Sequence, residues 1–193
     1  MKRALAGLAL LLVASCGGDR DRGGMCGVPG LEGERISDVD GPGACGIDDP
    51  VLVTRVAGID LSAPTRMTCE TAAALDVYVR TGAKPVLSTK GGGLERLQVA
   101  AGYSCRTRNS QPGARLSEHS KGRAIDISAY ILRDGTSLSV SNDWRSSNAQ
   151  TMRQLHGAAC GPFGTVLGPE SDRFHQNHFH FDIARYPSGP YCR

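Results

Sequence analysis

"RLSEHSKGRAIDISAY", residues 115–130, sets a polar turn ahead of an alternating run. From Ala124 onward, Ile125 and Ile127 fall on one face of a predicted strand, while Ala124, Asp126 and Ser128 fall on the other. The isoleucines require a core, so the carboxylate points to the opposite side. A second stretch, "NHFHFDIA" (177–184), has the same phase: Phe179, Phe181 and Ile183 on one face, His178, His180 and Asp182 on the other. If these strands are neighbours in one antiparallel sheet, Asp126 converges with a histidine of the His-x-His pair. His119, seven positions ahead of Asp126, offers another imidazole from the turn. Gly122 lets the turn bend sharply, and Ala124 leaves room beside it.

Two imidazoles and one carboxylate suit Zn²⁺, with a fourth position for water. Three of the five histidines belong to these two motifs, and His175 stands just ahead of the second. A single histidine in a turn is more often a surface or satisfied core residue, so a fortuitous imidazole cluster is the competing reading. His156, beside Leu155 on a predicted helix, is expected to pack rather than to ligate. Ser117 is expected to organise the turn through backbone hydrogen bonds, because no serine-hydrolase elbow surrounds it.

Around these motifs the pattern predicts one α+β domain: a central antiparallel sheet carrying the zinc site, flanked by helices and stapled by disulfides. "CETAAALDVYVRTGA" reads as a helix capped by Thr68, and "SSNAQTMRQLHGAAC" as a second helix. "LERLQVAAGYSCR" reads as extended and "NSQPGA" as a turn. "RDGTSLSV" reads as a hairpin through Asp134-Gly135, and "FGTVLG" as a closing strand.

The N-terminal end reads differently. "MKRALAGLALLLVASC" has a basic head, an apolar run and small residues before Cys16. It predicts a signal peptide over 1–15 and lipidation of Cys16 as in a bacterial lipobox; a plain signal peptide with a chance cysteine is the other reading. Gly17 rather than Asp follows Cys16, which favours the periplasmic face of the outer membrane. Residues 16–44, rich in Gly, Asp, Arg and Pro, read as a flexible tether, with the folded domain over 45–193. Six further cysteines, Cys26, Cys45, Cys69, Cys105, Cys160 and Cys192, suggest three disulfides in an oxidising compartment. None forms a CxxC pair, and six cysteines allow fifteen connectivities. Cys26 and Cys45 fasten the tether either to the domain or to each other. The formal net charge of +3 is too mild to argue for a nucleic-acid partner.

"SEHSKGRAID" matches Ser-x-His-x-x-Gly-x-Ala-x-Asp, and "HFH" its His-x-His partner. Together they resemble the metallopeptidase superfamily of lysostaphin, D-Ala-D-Ala peptidases and hedgehog domains. The broader run "CGIDDPVLV", "AGYSCR", "LSEHSKGRAIDISAY", "FGTVLGPESDRFHQNHFHFDIA" and "YCR" resembles the bacterial extensin-like C-terminal domain family. The resemblance implies that His119, Asp126 and His180 bind zinc and that His178 lies near the reacting carbonyl. "HQNHFH" is similar to the His-x-x-His-x-His arrangement of penicillin-insensitive murein endopeptidases, which nominates His175. Arg106 is either a clamp for a substrate carboxylate or a surface charge; Arg108 and Arg123 are poorer candidates.

The implied activity is hydrolysis of peptidoglycan cross-link peptide bonds by a metal-activated water, as a D,D- or L,D-endopeptidase or carboxypeptidase. Its partners would be peptidoglycan peptides and, through the lipid anchor, a membrane. One departure bears on this. Three residues before its last zinc ligand the D-Ala-D-Ala dipeptidase branch carries a glutamate; this chain has Asn177. An amide is no base at neutral pH, so His175 or His178 takes that work, or the protein is a weakly active or inactive zinc-containing cell-wall-binding lipoprotein.

Overall fold

Alternating apolar residues build the central strands, and a computed structural model describes how they pair over residues 23–193. The expected signal peptide, Cys16 and the first part of the expected tether lie outside the described residues. In chain order the strands are β1 (Leu31–Arg35), β2 (Val39–Asp40), β3 (Gly46–Ile47), β4 (Val51–Val56) and β5 (Ile59–Met67). Helices α1 (Cys69–Tyr78) and α2 (Lys84–Leu87) follow, joined by a wider turn at Val79–Ala83. Then come β6 (Leu94–Ala101), β7 (Ala124–Leu132), β8 (Ser137–Ser139), α3 (Val140–Asp143), α4 (Ala149–Ala159), β9 (Thr165–Leu167), β10 (Phe179–Asp182) and β11 (Tyr191–Cys192).

The main sheet runs β1-β4-β5-β6-β7-β10-β9-β11, with β8 also on β7, while β2 and β3 pair separately. The expected antiparallel sheet is mixed: β5–β6 and β9–β11 are parallel joins. The helices from α1 to α2 contain the connection from β5 to β6, so these two strands can run in the same direction. The join that matters for the site is antiparallel, with His180 opposite Asp126 and Phe181 opposite Ile125.

Helix α1 starts where Thr68 accepts a hydrogen bond from the Thr71 amide at 3.2 Å, as its sequence predicts. The helices gather on the sheet face that carries Ile125, Ile127, Val166, Phe179 and Phe181, and Leu75, Tyr78, Met152 and Leu155 complete that core. Polar residues of alternate phase are left on the other face. A bulge at Ser128, where Gln98 pairs Ala129 but Val99 pairs Ile127, shifts the phase of β7. The shift lets Tyr130 and Leu132 join the core alongside Ile125 and Ile127. Among the described residues no helix is long and apolar enough to cross a membrane.

The domain begins earlier than expected. Leu31–Arg35, placed in the tether by composition, is an edge strand paired antiparallel to β4. Only Leu31 of this strand is buried, so its hydropathy conceals it; its hydrogen bonds and one apolar anchor hold it. The three disulfides are Cys26–Cys69, Cys45–Cys105 and Cys160–Cys192. Cys26 and Cys45 therefore fasten the N-terminal stretch to the domain rather than to each other.

Candidate metal centre

His119 comes from a 3-10 turn, Glu118–Lys121, opened by Ser117 and closed by Gly122 in the left-handed region (φ 62°). Ser117 Oγ accepts from the His119 amide at 3.4 Å, the organising role its position suggested. Asp126 and His180 face one another across the β7–β10 ladder. His119, Asp126 and His180 are buried, and one ligand atom from each comes within 4.8 Å of the others.

The orientation of the two rings is fixed from behind. His119 Nδ1–H donates to the Gly102 carbonyl at 2.7 Å, and His180 Nε2–H donates to Asp182 Oδ2 at 3.0 Å. The opposite ring nitrogens, His119 Nε2 and His180 Nδ1, are therefore turned inward. They lie 3.1 Å from each other and 3.1 and 2.9 Å from Asp126 Oδ1. In neutral imidazoles those nitrogens carry lone pairs, so three electron-rich atoms crowd together and a cation must sit among them, either a proton or a metal. Ligands about 2.0–2.1 Å from a tetrahedral zinc are roughly 3.3 Å apart. The triangle fits that spacing, and imidazoles backed by a carbonyl and a carboxylate match the usual support of metal-bound histidines.

Electrostatics agree. Burial raises the Asp126 carboxyl, but its contacts with His119 and His180 outweigh it and hold it far below the usual carboxylate range. Burial alone pushes the His180 imidazole down, yet Asp126 and Asp182 override it and lift it to about 9. Asp182 is lowered because its hydrogen bond to His180 outweighs burial.

A cleft of about 240 Å³ opens on His180; Arg106, Arg108, Thr165, His175, Tyr186 and Tyr191 are among its walls. Arg106 places Nη2 3.9 Å from Asp126 Oδ2, at the rim of the cluster. Arg108 lines the same cleft, whereas Arg123 is paired with Glu118 at 3.2 Å. His178 places Nε2 3.6 Å from Asp126 Oδ2, and burial lowers its pKa against the pull of Asp126. His175 is buried in the cleft wall, with Nδ1 2.8 Å from Asp172 Oδ1. His156 packs between Trp144 and Phe179 and reaches the Arg193 carbonyl at 3.1 Å, the structural place expected for it.

Three contributors were not singled out from the sequence. Asp182 shares the His180 face, so the alternation held its signal. Asp172 stands three residues before His175, a turn-forming spacing. Gly102 had none: it contributes a carbonyl, and a Cβ there would lie 2.4 Å from Thr65 Cγ2.

One imidazole from a turn, joined to an imidazole and a carboxylate from the sheet, supported from behind and opening on a polar cleft, defines a candidate metal-binding α+β domain. Residues 30–193 match the family described as "Extensin-like protein C-terminus", and the chain belongs to that family. No curated protein and no solved structure matches the chain.

Proposed function

We propose that this protein is a zinc-dependent peptidoglycan peptidase, with His119, Asp126 and His180 as the zinc ligands. The observation that carries the reading is the inward crowding of His119 Nε2, His180 Nδ1 and Asp126 Oδ1 behind a cleft that His180 lines. Zinc held there supplies Lewis acidity and a means of acidifying water near neutral pH. The protein's own residues do the rest. Gly102 and Asp182 keep the two imidazoles aimed, Arg106 is placed to pair with a substrate carboxylate, and His175 or His178 takes up and returns a proton. D-amino-acid peptide bonds of the wall cross-link are the substrate class, cleaved as a D,D- or L,D-endopeptidase or carboxypeptidase. The N-terminal stretch supports export and a lipid anchor on the periplasmic face of the outer membrane, and three disulfides suit that oxidising compartment.

Asn177 favours a second reading. Its Oδ1 lies 2.9 Å from His178 Nδ1, so this position orients a histidine instead of supplying a carboxylate base. A zinc-containing cell-wall-binding protein without turnover would keep the cleft and the cluster.

Zinc-loaded wild type and His119→Ala, incubated with purified muropeptides and analysed by mass spectrometry, separate the readings. Cleavage by wild type alone, with zinc lost from the variant, is expected. Muropeptides bound but uncleaved by wild type would favour the binding protein. Equal zinc in both proteins would reject the ligand assignment.

A further inference from the structure

The Asp172–His175 pair stands outside the ligand triangle yet inside the cleft. We propose that Asp172 is a positioning residue for His175, holding the imidazole proton on Nδ1 and presenting an unprotonated Nε2 to the cleft beside the metal cluster. The catalytic meaning of this arrangement rests on the peptidase reading; the arrangement itself does not.

His175 Nδ1 lies 2.8 Å from Asp172 Oδ1, and the residue is only 6% exposed. The same carboxylate oxygen accepts the Phe174 amide at 2.7 Å, which stops it swinging away. The turn beneath is pinned as well. Gln176 Nε2 donates to the carbonyls of Pro169 and Asp172, each at 2.7 Å, and Ser171 Oγ donates to the Gly168 carbonyl at 2.7 Å. This framework sets the His175 ring 5.7 Å from the His180 ring, with its second nitrogen free of any protein partner among the described residues. Its ring is also among the cleft walls.

His178 is arranged differently. Its Nδ1 faces the neighbouring Asn177 amide and its Nε2 faces Asp126, so both nitrogens address the protein. An amide orients an imidazole without adding negative charge. A carboxylate fixes the tautomer and also raises the basicity of the far nitrogen. The Asp172–His175 pair thus brings a carboxylate to bear on the cleft through an imidazole whose far nitrogen, unlike that of His178, meets no protein group among the described residues, and this geometry makes His175 the better placed of the two to take up a proton.

The test uses the zinc-loaded full chain with Asp172→Ala and Asp172→Asn. Asparagine can still accept the Phe174 and His175 N–H groups through its oxygen; alanine cannot. Muropeptide turnover, zinc content and the ¹⁵N shifts of the His175 ring are measured together. The Nδ1–H form is expected in wild type, a shift toward the Nε2–H form in Asp172→Ala, and recovery of Nδ1–H in Asp172→Asn. Turnover should fall about 10–100-fold in Asp172→Ala through kcat, with KM and zinc content unchanged, and be partly restored in Asp172→Asn. Wild-type turnover by Asp172→Ala, or loss of zinc together with turnover, would reject the positioning role. If wild type cleaves no muropeptide, the peptidase reading falls, and the ring shifts decide the arrangement alone: a proton on Nε2 in wild type, or no change in Asp172→Ala, overturns it.

Discussion

His180 lies between Asp126 and Asp182 with little access to solvent, and under the proposed metal binding this setting would give the site opposite pH responses with and without the ion. In the metal-free protein its pKa is lifted from the usual value near 6.5 to about 9. The proton it holds stabilises the fold fully below about pH 6.5, and this contribution disappears as pH rises through about 9. Asp126 and Asp182 act in the other direction, because their depressed pKa values add stability above the unfolded carboxylate range that is lost in acid. Under the proposed assignment zinc would displace the His180 proton, so its stabilisation would grow with pH over the same alkaline interval. Thermal midpoints measured with chelator should therefore fall between pH 6.5 and 9, while the gap to midpoints with excess zinc widens. Curves that stay parallel would mean that the ion is not held at His180.

Elements were legible where side-chain phase was simple. β7 and β10 announced themselves by alternation because one face meets a core and the other a polar site, and Thr68 marked the start of α1. β4 and β5 escaped because the burial phase of β4 shifts between Val53 and Arg55, and Pro64 interrupts β5. Their signal was the turn between "VLVTRV" and "IDL", where Ala57 and Gly58 both take positive φ. Disulfide partners were not legible at all, since they depend on the tertiary approach of segments distant in sequence. One pairing bears on the site. Cys105 sits in the run from Gly102 to Arg108, which carries the carbonyl behind His119. Ser104 N donates to the His119 carbonyl at 3.2 Å, and Ser117 N to the Arg106 carbonyl at 3.0 Å. The Cys45–Cys105 bridge therefore anchors the platform of the candidate ligand His119, while Cys160–Cys192 joins the end of α4 to β11. Replacing either pair with alanines should lower stability by about 4 kcal/mol. Only the Cys45/Cys105 variant should also weaken zinc binding in a chelator competition run well below both melting temperatures. Equal zinc affinities would show that the His119 turn stands without that platform.

At the scale of the whole molecule, the question is where the folding unit starts. Composition put the boundary at residue 45, because "GGDRDRGG" and "DVDGPGA" offer little to bury. The fold instead extends through the Cys26 bridge and β1, with the backbone of β1 covering the edge of β4. Val51, Val53 and Val56 on β4 are fully buried, so that edge borders the apolar core. A chain starting at residue 45 loses β1, leaves Cys69 without its partner and exposes a valine-rich edge able to pair with another chain. Loss of the bridge alone should cost about 4 kcal/mol, before the hydrogen bonds of β1 and the burial of Leu31 are counted. A chain starting at residue 23 keeps all three. Thermal melts and light scattering on the two truncations should give a lower midpoint and concentration-dependent association for the shorter one. Indistinguishable monomeric melts would return residues 23–44 to the role of a tether.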